Sequence, residues 1–244
     1  MPASNYAERI AERSRAITIA ALLLLSLLAW AYLLSGAGIE PMSAMHGTGL
    51  GWTLAAAMWI AMMVAMMLPS AAPAIMLYAR VHRHSFGNEV GLPIAAFLAG
   101  YLVCWLGFAL LAATLQLVVT SPMSMALESQ EASGGLLIAA GAYQLSPFKD
   151  ACLGRCRSPA EFITRHYRPG IWGAARLGLL HGAYCVGCCW LLMALLFVGG
   201  VMNLLWVAGL TLLIAAEKLL PGGPWIARFA GLAMVAWGSA LLLS

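Results

Sequence analysis

His181, Cys185, Cys188 and Cys189 fall within nine residues of one apolar stretch, in the string His181-Gly-Ala-Tyr-Cys185-Val-Gly-Cys188-Cys189-Trp190. At roughly 100° per residue these four side chains share one arc of a helix, about 100° wide. Thiolate and imidazole on a single face are the donors of a soft-metal site, and the sulfur content favours copper(I), with zinc as the second choice. Pairs at i, i+3 and i, i+4 are near enough for two side chains to reach one ion. A lone buried cysteine reads more simply as a small apolar packing residue. The metal or redox reading rests on three of them sharing the arc with a histidine.

Two more thiols, Cys152 and Cys156, stand in the basic segment Lys149-Asp-Ala-Cys152-Leu-Gly-Arg-Cys156-Arg. The spacing is looser than the Cys-x-x-Cys of a zinc finger. Soft-metal capture and a reversible dithiol are the functional readings, and two ordinary loop cysteines the plain one. Lys149, Arg155 and Arg157 are expected to lower the pKa of these thiols. Cys104 is a further donor candidate.

Methionine is the third ligand type. Met58, Met62, Met66 and Met76 form a helical stripe, with Met63 and Met67 beside it. Thioethers do not ionise, so such a stripe can pass copper(I) through an apolar bundle; equally, methionine is a flexible packing residue. Met42, Met45 and His46, with Met123 and Met125, are candidate collectors at the other end of that path.

These residues must be positioned by helices in a membrane. Hydrophobic residues are 63% of the 244, and charged residues 9%, against roughly 25% charged in a soluble domain. Mean hydropathy is +0.89. The pattern predicts an all-α, polytopic transmembrane bundle of about seven spans, at 16–38, 52–78, 92–119, 134–148, 175–198, 202–219 and 225–243. The fourth is interrupted by Ser146-Pro147 and Lys149. The first is too long to be a removable signal peptide, and no clean cleavage motif follows it. With seven crossings, all 13 Lys and Arg fall on one side, and Glu40, Glu128 and Glu131 on the other. The basic side is cytoplasmic, which puts the N-terminus inside and the C-terminus outside. The net charge of +4 is thus a topology signal and implies no nucleic-acid partner.

One integral domain, 1–244, is expected, with a cytoplasmic loop at 147–174 whose Pro159–Arg168 portion reads as a short amphipathic helix. Pro69 and Pro73 either kink the second span or open a pocket beside Ser70. Gln144 in the fourth span needs a partner. Glu217-Lys218 reads as a local ion pair or a bond to the basic loop, and His82 and His84 as surface residues. No serine-hydrolase order, phosphate-cradling glycine loop or di-iron carboxylate pattern occurs, so no catalytic residue is assigned.

Four strings are distinctive together: Trp59-Ile-Ala-Met-Met-Val-Ala-Met-Met-Leu-Pro-Ser70, Gly141-Ala-Tyr-Gln-Leu-Ser-Pro-Phe-Lys149, Cys152-Leu-Gly-Arg-Cys-Arg-Ser-Pro159 and Gly178-Leu-Leu-His-Gly-Ala-Tyr-Cys-Val-Gly-Cys-Cys-Trp-Leu-Leu-Met193. With them the chain resembles the uncharacterised bacterial family of predicted metal-binding integral membrane proteins, from about the second span to Glu217-Lys218. The resemblance implies metal binding and the inner membrane.

The sequence thus predicts a multi-pass inner-membrane protein that binds copper(I) at His181, Cys185, Cys188 and Cys189, for transport or delivery. Met42, Met45 and His46 would collect the ion, Met58, Met62 and Met66 conduct it, and Cys152 and Cys156 exchange it inside. Its partners are the lipid bilayer and either other membrane subunits or a metallochaperone. Two alternatives stay open: a metal-binding or structural subunit of a larger membrane metalloenzyme, and a membrane thiol or quinone oxidoreductase.

Overall fold

The computed structural model describes residues 2–36, 49–86, 91–119, 126–127 and 129–244, and the described residues form helices without strands. In chain order these are α1 (Pro2–Leu34), α2 (Gly49–Phe86), α3 (Gly91–Val119), α4 (Gln130–Gln144), α5 (Pro147–Arg157), α6 (Pro159–His166), α7 (Gly170–Ala194), α8 (Leu196–Gly199), α9 (Leu204–Leu219) and α10 (Gly223–Leu243).

Five segments are long and apolar enough to cross a membrane: Arg15–Leu34, Leu50–Ser85, Gly91–Val119, Gly170–Gly199 and Gly223–Leu243. The other two expected spans are α4, with 15 residues, and α9, with 16. At 1.5 Å per residue they reach roughly 22–24 Å, short of the roughly 30 Å hydrocarbon core. The limits of α4 have a local cause. Ser146 turns to extended backbone, accepts a bond from the Lys149 N–H and starts α5 with Pro147 in its first turn. Between α8 and α9 the chain turns at Gly200, whose φ of 86° suits glycine. Asn203 then caps α9 by accepting from the Trp206 N–H at 3.2 Å.

Backbones approach closely where glycines replace side chains. A Cβ at Gly178 of α7 would collide with the Phe97 carbonyl of α3, and one at Gly100 with the Ala175 carbonyl. The α4–α10 seam repeats the device, with Gly134 and Gly141 facing Gly238 and Gly231. Such contacts supply the close packing that membrane helices rely on when the hydrophobic effect cannot drive their association. Outward faces are apolar: Leu24 and Leu28 of α1, Leu111 of α3 and Leu205 and Leu212 of α9 are all exposed. Leu205 and Leu212 give the shorter α9 a lipid-compatible surface as well.

Pro69 and Pro73 lie inside α2. Pro69 has no N–H to offer the Ala65 carbonyl, and the Ser26 hydroxyl of α1 donates to that carbonyl at 3.4 Å. The amphipathic helix expected at Pro159–Arg168 is α6, which buries Phe162 and Ile163. His82, read from the sequence as a surface residue, is buried; its Nδ1 lies 3.2 Å from the Tyr167 hydroxyl and its ring stacks on Tyr78. Tyr167, in the loop after α6, covers the His82 face of α2, while His84 is exposed as the sequence suggested.

Candidate functional site

The site is built on α7. Its cysteines face inward, with Cys185, Cys188 and Cys189 all buried beside His181. The Cys188 and Cys189 thiols donate back to the Cys185 carbonyl at 3.2 and 2.8 Å, which fixes their rotamers along the helix. Three neighbouring helices close on this face. From α2, the Met67 thioether lies 3.9 Å from the Cys189 sulfur. From α3, the Tyr101 hydroxyl lies 3.2 Å from the Cys185 sulfur and 3.0 Å from the Met67 carbonyl. From α9, the Lys218 ammonium donates to the Cys185 sulfur at 3.0 Å and lies 3.4 Å from the Ser70 hydroxyl. It also lies 3.9 Å from Cys189 and 4.0 Å from Met67.

Lys218 is held there by its neighbour in sequence. Glu217 points about 100° away around α9 and accepts from the Lys149 ammonium and the Gln144 amide, each at 2.6 Å. All three side chains are buried. Gln144 therefore finds the partner its position demanded, and Glu217 bonds to the basic segment, not to Lys218. Arg157 locks the same end of α9 by donating to the carbonyls of Glu217, Leu220 and Pro221. The register of α9, and with it the aim of Lys218, is set by these bonds.

The thiols of the basic segment fold back onto α7. The Cys156 sulfur is 4.0 Å from that of Cys188. Cys152 packs on the α7 backbone, where a Cβ at Gly187 would stand 3.1 Å from its sulfur. The expected drop in their thiol pKa is not what the structure gives. Burial pushes the Cys152 thiol up, Cys188 adds to the rise, and Arg155 only partly opposes it. Contacts with the Cys185 and Cys188 sulfurs, and then burial, hold the Cys156 thiol well above its ordinary value. The bases counted on for the opposite effect are engaged elsewhere: Lys149 on Glu217, Arg157 on carbonyls, and Arg155 over the Tyr184 ring at 4.5 Å.

His181 faces an aromatic niche, its ring centroid 5.4 to 6.1 Å from those of Phe162, Tyr101 and Phe97. Its Nδ1 is buried without a hydrogen-bond partner, an uncommon state for a polar atom away from water. Among the described residues, no three His, Cys, Asp or Glu side chains are gathered tightly enough to hold a metal ion as they stand. Met58, Met62 and Met66 are buried in the core of α2, but the thioether that reaches the cysteines is Met67. Cys104 donates to the Leu179 carbonyl at 3.2 Å. Met42, Met45, His46, Met123 and Met125 lie outside the described residues. Tyr101 and Lys218 are the site groups that sequence reading missed.

A cradle of thiols, a thioether and an unpartnered imidazole nitrogen is chemistry for a soft ion. A family model described as PpoB2, copper chaperone, matches residues 56–241, more than three-quarters of the chain. The chain belongs to the PpoB2 copper chaperone family. No curated protein and no solved structure matches it. The PpoB2 match runs from Ala56 of α2 to Leu241 of α10, so every residue of the cradle lies within the matched region. The PpoB2 family supports the copper reading drawn from the soft donors, and not specifically the resemblance to a family of integral membrane proteins. Membrane association is carried by the five long apolar helices.

Proposed function

We propose that this protein is a seven-span, single-domain inner-membrane protein that takes copper(I) as cargo at the buried thiols of α7. Cys185, Cys188 and Cys189 supply the sulfur ligands, two of them as thiolates and the third as the neutral thiol, with His181, one helical turn before Cys185 on α7, as the nitrogen donor. The observation that carries this reading is the Lys218 ammonium lying 3.0 Å from Cys185 among soft donors. Copper(I) bound by two thiolates has a net charge of −1, which one ammonium neutralises. A divalent ion in the same dithiolate is already neutral and leaves the buried ammonium without a counter-charge, which is costly in a low dielectric. The site chemistry therefore favours copper(I) over zinc.

Loading exchanges protons for metal: thiols become thiolates as the ion binds, and the released protons leave with the solvent. Cys156, 4.0 Å from Cys188, and Cys152 form the step between the α7 cradle and the cytoplasm, where a metallochaperone exchanges the ion. On the other side, Met42, Met45 and His46 collect it and the α2 thioethers of Met58, Met62 and Met66 conduct it, with Met67 as the last sulfur before Cys189. The one-sided distribution of the 13 basic residues supports seven crossings with the N-terminus inside. In that arrangement α4 and α9 cross a locally thinned region, sheltered by the α10 and α2 packing.

Copper K-edge absorption spectroscopy of the anaerobically loaded protein tests this reading. A sulfur-dominated shell of two or three donors is expected. A shell of nitrogen and oxygen donors, or no bound copper, contradicts it.

A further inference from the structure

We propose that the groove between α1 and α2 is a binding site for the phosphate headgroup of an anionic phospholipid. Arg15 of α1 and Arg80 and Arg83 of α2 line a cavity of about 270 Å3, together with Thr18 and an apolar wall of Pro73, Met76 and Leu77. Arg80 and Arg83 stand at i, i+3, on one face of α2. Arg15 opens the membrane-length part of α1, and Arg80 and Arg83 close that of α2, so all three guanidinia sit at the same end of an antiparallel pair. Planar guanidinium forks match phosphate oxygens, and basic pockets between helices on the cytoplasmic side take anionic headgroups.

The second observation is what lies beneath. A further cavity of about 210 Å3 runs between the same helices, lined by Ile19, Leu22, Leu23, Pro69 and Ala72, and it shares Met76 with the first. On α2 the step from Pro73 to Pro69 is one helical turn deeper. A basic mouth over an apolar slot is the division of a phospholipid into head and acyl chain. Free phosphate would use the mouth alone. Pro69 leaves the Ala65 carbonyl to Ser26, so a hydroxyl bond holds the α1–α2 seam beside this slot, whose lining includes both Pro69 and Ser26. This inference rests on the chain lying in a membrane and is independent of the thiol cradle.

The test is native mass spectrometry of the full-length protein, delipidated in neutral detergent and offered phosphatidylglycerol, phosphatidylcholine of the same chains, or inorganic phosphate. Phosphatidylglycerol should be retained over phosphatidylcholine. The Arg80→Gln/Arg83→Gln variant should bind it roughly thirty-fold more weakly, at about fivefold per guanidinium lost. Arg165→Gln, an exposed residue of α6 paired with Glu161, should match the parent. If the double variant does not fold, Arg80→Gln alone, on an exposed side chain, should still show the fivefold loss, and Arg80→Lys should recover most of it. Equal retention of both lipids, or undiminished phosphatidylglycerol binding by the variants, overturns the site. Retention of inorganic phosphate that the lipid does not exceed overturns the lipid assignment. Copper content measured on the same samples keeps failure of this site distinct from failure of the thiol cradle.

Discussion

Two lysines are buried in this bundle, and their surroundings differ in kind. Lys149 of α5 meets a carboxylate, Glu217, at 2.6 Å, and Gln144 occupies that carboxylate's other oxygen at the same distance. Lys218 of α9 meets sulfur and hydroxyl groups: Cys185 at 3.0 Å, Ser70 at 3.4 Å, then Cys189 and Met67 at about 4 Å. The first is a permanent ion pair that ties α4, α5 and α9 together. In the second, the counter-charge comes only when a thiol gives up its proton, and a soft cation competes for the same sulfur. One region fixes the fold, and the other, as the proposed copper site, would exchange its partner.

The sharpest way to break that comparison is to remove the permanent anion. Glu217→Ala leaves the Lys149 ammonium buried without a partner and is expected to cost about 3–5 kcal/mol, seen as loss of the folded peak in size-exclusion chromatography or a collapse in thermal midpoint. Adding Lys149→Met should restore much of the loss, because a neutral pair needs no counter-charge. The matched change at the other lysine, Lys218→Met, should leave the thermal midpoint within a few degrees of the parent, since thiols can stay neutral. Its effect belongs in metal binding: copper(I) affinity measured against a competing chelator should fall about tenfold, by the loss of about 1.4 kcal/mol of charge neutralisation, with zinc less affected. Equal stability losses at the two lysines would erase the distinction.

The smallest expected effect is on the α5 thiols. Burial raises the Cys152 thiol, and sulfur contacts raise Cys156 further. A thiol whose pKa is higher folded than unfolded holds its proton in the fold. The stability it contributes is therefore constant at low pH and falls once pH rises above the ordinary thiol value of about 8.5. Alkylation by iodoacetamide should follow the same sign, with the rate at Cys152 and Cys156 rising at higher pH than that of a free thiol. A midpoint below the free value would revive the expectation drawn from Arg155 and Arg157.

The α7 cradle was legible because helical spacing alone puts His181, Cys185, Cys188 and Cys189 on one arc. The α6 helix and the need of Gln144 for a partner were equally readable. Lys218 was not, since Glu217-Lys218 read as a local ion pair or a bond to the basic loop, and neither reading aims Lys218 at the thiols. A signal was present all the same: neighbours on a helix diverge by about 100°, so Glu217 and Lys218 cannot face the same partner. The engagement of Lys149, Arg155 and Arg157 was also hidden, because charge counting along a loop is blind to which carbonyl, ring or carboxylate each base meets. The return of Cys156 to Cys188 depends on α5 lying against α7, a tertiary contact that no local pattern announces. Seven apolar runs were readable, but helix length separates five membrane-length segments from the shorter α4 and α9.

The α7 thiols are proposed to hold copper(I). Metal content by mass spectrometry, after anaerobic copper(I) loading and removal of excess with a chelator, tests it most directly in the parent and in Cys185→Ser/Cys188→Ser/Cys189→Ser. Near-stoichiometric copper in the parent and none in a variant with the parent's elution profile is the predicted result. Equal copper in both, or a parent that remains metal-free, would contradict it.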